Sequence, residues 1–210
     1  SVYDTFGLPC AGGSIVMPDD ELVKNPGHWA DVVRDYKVTI WNTVPAFMEM
    51  MMEYCIGLEL DQKDFVSLRF VMLSGDAIPI ELPNKIKSFL THVKLSTNGG
   101  PTEDTIWCTI NHIERPVEPD CKTISYGIPI NNMKVHIVNS NYEELPMHCI
   151  GEMCFSGAGG PTLGTEKTKT SPRSDSLFMR KRDNACIEPE IMAASTRTAR
   201  STLSAVLTSR

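Results

Sequence analysis

Gly99-Gly100-Pro101-Thr102-Glu103 is the stretch whose residue types come nearest to a binding or reacting site. Glycine has no Cβ, so the backbone there is free to approach a ligand or to take φ > 0. A threonine hydroxyl donates to a phosphate oxygen. A glutamate carboxylate is a hard oxygen ligand of the kind Mg²⁺ takes. Thr102 and Glu103 together suit a metal-bound nucleotide; the plain alternative is a Gly-Gly-Pro turn followed by polar residues, and five residues alone leave both open. Ser74-Gly75-Asp76 closes an apolar run. A polar triplet at the carboxyl end of a strand is where α/β proteins commonly wall a ligand, and a strand-to-helix turn capped by Asp76 would use the same residues. Gly151-Glu152 and Ser156-Gly157-Ala158-Gly159-Gly160 form a second glycine-rich element. It fits neither the dinucleotide-binding nor the P-loop spacing, so a strand-ending turn is its default reading.

Other chemistries lack the residues they need. The seven cysteines (Cys10, Cys55, Cys108, Cys121, Cys149, Cys154 and Cys186) are scattered and form no Cys-x-x-Cys pair. They read as thiols of a reducing cytosol, mostly buried. Cys149 and Cys154 flank a predicted strand with nothing to activate them. His28, His92, His112, His136 and His148 show no metal spacing, and neither Gly-x-Ser-x-Gly nor His-Glu-x-x-His occurs, so hydrolase triads have no sequence support.

The elements that must carry the Gly99–Glu103 stretch alternate in type. A short strand is expected at 14–17. Asn25-Pro26 opens a helix with Trp29, Val32, Val33 and Tyr36 as its apolar stripe. A strand follows at 38–41, and Pro45 starts a second helix through Phe47, Met48, Met51, Met52, Tyr54 and Cys55, whose methionines suit a core-facing helix. Residues 68–73 form a nearly all-apolar run, as in a strand buried on both faces. Pro79 and Pro83 bracket the start of a helix ending near Leu90, and a strand follows at 92–95. This order predicts a largely parallel α/β layer over residues 1–105. Strands at 106–113, 133–138 and 150–155, without intervening helices, predict a small β-barrel-like subdomain over 106–160. From 161 to 210 periodicity disappears, and the Ser/Thr/Arg-rich end predicts a divergent, disordered tail.

Composition narrows the function classes. The 210 residues are 41% hydrophobic and 22% charged, ordinary for a globular protein. Net charge is −6, with 11 Lys/Arg against 21 Asp/Glu before residue 161 and 9 against 5 after it. An acidic body argues against nonspecific nucleic-acid binding. No apolar run nears the roughly 20 residues of a membrane span, and no signal peptide is visible. A soluble, cytoplasmic protein is expected. The Ser1 start predicts a chain that begins upstream.

Three stretches recur in one family in this order. Ser1-Val2-Tyr3-Asp4-Thr5-Phe6-Gly7 resembles the segment after that family's Phe-Asp core. Gly100-Pro101-Thr102-Glu103 resembles its Tyr-Gly-Pro-Thr-Glu core. Gly151-Glu152-Met153-Cys154-Phe155-Ser156-Gly157-Ala158-Gly159 resembles its Gly-Glu-Leu-x-Ile-x-Gly-x-Gly core. Residues 1–160 thus resemble an internal piece of an adenylate-forming enzyme, in particular the adenylation domain of a nonribosomal peptide synthetase. The resemblance implies ATP and Mg²⁺ as cofactors. It also implies conversion of an amino acid to its aminoacyl-adenylate, then transfer to the phosphopantetheine thiol of a partner peptidyl carrier domain. Thr102 and Glu103 would be the catalytic pair, with Glu103 on the metal. Ser74, Gly75, Asn98, Gly99, Gly100, Pro101 and Thr102 would line the nucleotide side. Tyr3, Asn42, Met72, Ser74, Asn98, Ile106 and Trp107 would line the amino-acid pocket.

Cysteine-activating members carry Tyr, Asn, Leu, Ser, Leu, Ile and Trp at those seven positions. Five agree, Met72 is a mild change and Asn98 is a departure, so cysteine is the expected substrate. Gly99 stands where the family has an aromatic that packs on adenine. The phosphate-binding loop, the ammonium-holding Asp, the ribose-binding core and the catalytic Lys of the C-terminal subdomain are not found in the sequence. The isolated chain is therefore expected to be inactive, with its last residues read as an out-of-register end. The competing expectations are an acyl-CoA or aryl-acid ligase fragment and a non-catalytic degenerate remnant.

Overall fold

The computed structural model describes residues 2–100, 106–147, 149–157, 181–186 and 204–207, the last two segments by backbone alone. They fall into two compact units. The first comprises Ser1–Thr97, His112–Ile124 and Thr196–Arg210; the second comprises Asn98–Asn111 and Ser125–Ser195.

The first unit opens with a π-helical turn (Tyr3–Gly7) that runs into α1 (Leu8–Cys10), then β1 (Ser14–Val16). α2 (Pro26–Asp35) begins where the Asn25-Pro26 pair puts it. Asn25 Oδ1 accepts from the Gly27 and His28 amides at 2.9 and 3.2 Å, which satisfies two of the donors that a helix start leaves open. Trp29, Ala30, Val32 and Val33 are its buried face, whereas Tyr36, expected in that stripe, lies past the last turn and is exposed. β2 (Ile40–Thr43) leads into α3 (Pro45–Gly57), whose Met48, Met51, Met52 and Cys55 are fully buried. The methionines fill the core, and no cofactor groove is formed by them.

β3 (Phe70–Ser74), α4 (Leu82–Phe89) and β4 (Lys94–Gly99) follow. β2 and β3 are parallel, with Ile40 opposite Phe70 and Asn42 opposite Met72. Within this unit the strand order is β1-β10-β2-β3-β4, with β10 (Ser204–Leu207) antiparallel to both β1 and β2. One apolar core joins the helices to the sheet. Trp29 meets Trp41 edge-on at 6.2 Å and Phe47 at 5.1 Å, and Phe65 meets Phe89 at 5.5 Å. These aromatics bury large apolar areas and add the favourable edge geometry of ring pairs.

The second unit holds most of β5 (Thr109–His112), paired antiparallel with β6 (Ile128–Pro129). It also holds a three-stranded antiparallel sheet of β7 (Met133–Val138), β8 (Ile150–Gly157) and β9 (Lys181–Cys186). β7 and β8 pair without a break from Met133–Gly157 to Val138–Glu152. Cys108, Met133, Ile137, Met153 and Phe155 form a separate core there. Within 161–210, where no period predicts order, the described residues are the two strands β9 and β10. No helix among the described residues is long and apolar enough to cross a membrane.

Candidate functional site

Two groups of predicted residues come together, one in each unit. In the first, the parallel β2–β3 register sets Asn42 beside Met72, and Ser74 closes β3 two residues further on. Gly75 then turns with φ +87°, a backbone region that favours glycine, and Asp76 Oδ1 accepts from the Ala77 amide at 2.7 Å. Asp76 does not cap the following helix, because α4 starts six residues later at Leu82.

Tyr3 reaches the same group through its neighbour. Asp4 is only 3% exposed, and its Oδ1 accepts from Asn42 Nδ2 at 2.9 Å across 38 residues of sequence. Sequence reasoning passes over Asp4. Its one available signal was an acidic residue beside a predicted pocket tyrosine, in a segment otherwise aromatic and small. The bond fixes the amide plane of Asn42 and holds the π-helical turn at the carboxyl end of β2. Burial, and then the Asp4 charge, push the Tyr3 phenol pKa up, so it stays a neutral hydrogen-bonding group near neutral pH. Nearby, Trp41 Nε1 donates to Thr43 Oγ1 at 2.8 Å, which satisfies the indole inside the core.

In the second unit, Asn98, Gly99, Gly100, Ile106 and Trp107 lie together. Pro101, Thr102 and Glu103 lie outside the described residues, as does His148. The Cys108 amide donates to Gly99 O at 2.7 Å, so the chain returns to its starting point within nine residues. Neither glycine takes a positive φ. Their role is to admit close approach by the protein itself. A Cβ on Gly100 would lie 2.7 Å from Ile106 O and Trp107 Cα and 2.8 Å from Cys108 N. A Cβ on Gly99 would lie 2.7 Å from the Tyr126 ring and 2.8 Å from Thr109 Oγ1. The room for a side chain at position 99 is therefore taken by Tyr126, a residue that no local pattern singles out.

Asn98 sits at the end of β4 and is 1% exposed, yet neither its Oδ1 nor its Nδ2 has a partner among the described residues. Ser96 Oγ, two residues earlier on the same strand face, is also buried and unpartnered.

Two further features bear on the excluded chemistries. Cys55 is pushed up to about 12 by burial, and Cys154 to about 11 by burial and then the Glu152 charge, so both are inert thiols. His136 Nε2 lies 2.8 Å from Ser156 Oγ while its Nδ1 meets Glu144 Oε1. That order of groups matches a serine–histidine–acid chain. However, Ser156 is buried within the β7–β8 ladder, its contact with His136 ties β8 to β7, and Glu144 lies on the connection between the two strands. Sequence spacing could not reveal this set, because antiparallel register, not separation along the chain, brings it together. Among the described residues no three His, Cys, Asp or Glu side chains group to hold a metal ion.

Residues 1–162 match the family model described as AMP-binding enzyme. The chain is 37% identical over 174 residues to bacitracin synthase 1 of Bacillus licheniformis, which covers 81% of this chain and 3% of that protein. It is 33% identical over 159 residues to pyochelin synthetase PchE of Pseudomonas aeruginosa, covering 75% of this chain and 11% of that protein. Among solved structures it is similar to the nonribosomal peptide synthetase FmoA3 bound to α-methyl-L-serine-AMP, with TM-score 0.81 and 29% identity over 93% of this chain and 23% of that one. The chain thus spans a small part of the relatives it matches.

Proposed function

Since the chain belongs to the AMP-binding enzyme family, we propose that it contributes the amino-acid pocket and part of the nucleotide site of a nonribosomal peptide synthetase adenylation domain. The observation that carries this reading is the convergence of Tyr3, Asn42, Met72 and Ser74 at the carboxyl ends of a parallel strand pair, fixed by the buried Asp4–Asn42 bond. In open α/β sheets that edge is where ligands bind.

In the proposed reaction a substrate carboxylate oxygen attacks the α-phosphorus of ATP. The bond from that phosphorus to the bridging oxygen breaks, and pyrophosphate leaves. Catalysis of such a displacement is chiefly positioning and charge stabilisation. Thr102 would donate to phosphate and Glu103 would bind Mg²⁺, which supplies charge neutralisation at the triphosphate. Gly99 and Gly100 admit the close approach of the backbone at 106–108, which supports walls at Ile106 and Trp107 beside these glycines. In the second half-reaction the thiolate of a phosphopantetheine arm attacks the acyl carbon and AMP leaves. That step requires a peptidyl carrier domain as partner and suits a cytoplasmic setting.

Five of the seven pocket positions agree with a cysteine-type set, which supports a small amino acid. FmoA3, with α-methyl-L-serine-AMP bound, supports the amino-acid class. The test is ATP–pyrophosphate exchange by the complete domain containing this segment, across the twenty amino acids, benzoates and fatty acids. Amino-acid-dependent exchange that falls at least tenfold in Glu103→Ala at low Mg²⁺ is expected. Exchange with aryl or fatty acids alone, or an unchanged rate in Glu103→Ala, would overturn the reading.

A further inference from the structure

Asn42 is held on one face of β2 by the Asp4 carboxylate. Side chains alternate along a strand, so its neighbours Trp41 and Thr43 share the opposite face. There they are bonded to each other, and the bond has a fixed direction. An indole N–H only donates, so Trp41 Nε1 gives its proton to Thr43 Oγ1 at 2.8 Å. The threonine hydroxyl gives its own proton to Val44 O at 3.0 Å. Val44 is the residue before α3, and the same carbonyl accepts from the Phe47 amide at 3.2 Å. Phe47 packs on Trp29 at 5.1 Å, and Trp29 meets Trp41 at 6.2 Å. Five residues thus close a circuit behind Asn42, and every link lies inside the first unit. Trp41 and Thr43 are both buried, so loss of their bond leaves the indole N–H without water as a substitute partner.

We infer that Thr43 is a positioning residue for the amino-acid pocket, touching no substrate itself and acting through Asn42. The inference rests on the adenylation reading above. A link between the side chains before and after Asn42 limits the backbone torsions of the residue between them. The bond to Val44 O fixes where β2 stops and α3 starts. Asn42 is therefore held from both faces, by Asp4 on one and by the circuit on the other. Valine has the branched shape of threonine without the hydroxyl. In Thr43→Val the indole N–H is stranded, the Val44 carbonyl loses a donor, and the end of β2 bearing Asn42 gains freedom. An amino acid that meets a wall of variable position is bound less tightly. ATP is spared, because Asn42 is not among the residues on the nucleotide side.

The experiment is ATP–pyrophosphate exchange by the complete domain containing this segment, with amino acid and ATP titrated separately. Wild type is compared with Thr43→Val, Thr43→Ser and Trp41→Phe. Thr43→Val is expected to raise the amino-acid KM about tenfold or more, while kcat and the ATP KM stay within about twofold. Thr43→Ser keeps the oxygen and should return the amino-acid KM most of the way to wild type. Trp41→Phe breaks the same bond from the donor's side and should raise the same KM, which decides the matter where Thr43→Val does not fold. Added to Thr43→Val it should raise that KM no further, since the bond is already gone. An unchanged amino-acid KM, a joint rise of the amino-acid and ATP KM, or a Thr43→Ser no better than Thr43→Val overturns the inference while leaving amino-acid activation in place. Absence of amino-acid-dependent exchange in the wild-type domain overturns the adenylation reading and this inference with it.

Discussion

Replacing the buried Asp4–Asn42 bond offers the sharpest test of how the first unit is held. The Oδ1–Nδ2 distance is 2.9 Å and both residues are buried. Hydrogen bonds to a charged group contribute about 1.5–3 kcal/mol net. Asp4→Ala removes the acceptor and strands the Asn42 amide, but it also relieves the desolvation of a buried carboxylate. A net loss of roughly 1–3 kcal/mol is therefore expected for the single change. The double-mutant cycle with Asn42→Ala cancels the desolvation terms and isolates the pair, for which a coupling of about 1.5–3 kcal/mol is expected. Urea unfolding followed by the fluorescence of the buried Trp29 and Trp41 reads it directly, since Trp41 is the residue before Asn42. A coupling under about 0.5 kcal/mol, the ordinary error of additivity, would refute the claim that this bond fixes Asn42 and the turn bearing Tyr3.

Two other outcomes follow from the described residues. Cys55 and Cys154 are raised by burial to about 12 and about 11 from 9.0, so below pH 9 both states hold the proton and stability is unaffected by them. Above pH 9 the unfolded thiols ionise first, so stability falls as pH rises toward 11–12; Cys55→Ala with Cys154→Ala should flatten that fall in a melting series from pH 8 to 11, and an unchanged slope counts against it. Gly100→Ala sets a Cβ 2.7 Å from backbone atoms that cannot turn away. A loss of about 1–3 kcal/mol in unfolding free energy is expected, and wild-type stability would show that the 106–108 return is looser than described.

Much of the fold was legible because its signals are local. Asn25-Pro26 fixed the start of α2, Pro45 fixed that of α3, and the 133–138 strand was found at its true ends. The three central strands were found too early, each expected at 38–41, 68–73 and 92–95 but observed at Ile40–Thr43, Phe70–Ser74 and Lys94–Gly99. In every case the missed end is polar: Asn42-Thr43, Ser74, and Ser96-Thr97-Asn98. Apolar runs mark where a strand is buried against the core, and polar strand ends read as loop. These ends are buried, apart from the half-buried Ser74, and the predicted pocket residues Asn42, Ser74 and Asn98 are among them. Local patterns fail where a buried strand ends in polar residues. Asp4 and Tyr126 were missed for a different reason, because their importance lies in contacts with distant residues.

The division between the two units falls between Thr97 and Asn98, inside one strand. Each unit keeps an apolar interior of its own, and that of the first is completed by Ile113, Val117 and Ile124, which follow Asn98 in the sequence. A chain made from its amino end therefore adds part of the second unit before the first interior has all of its side chains.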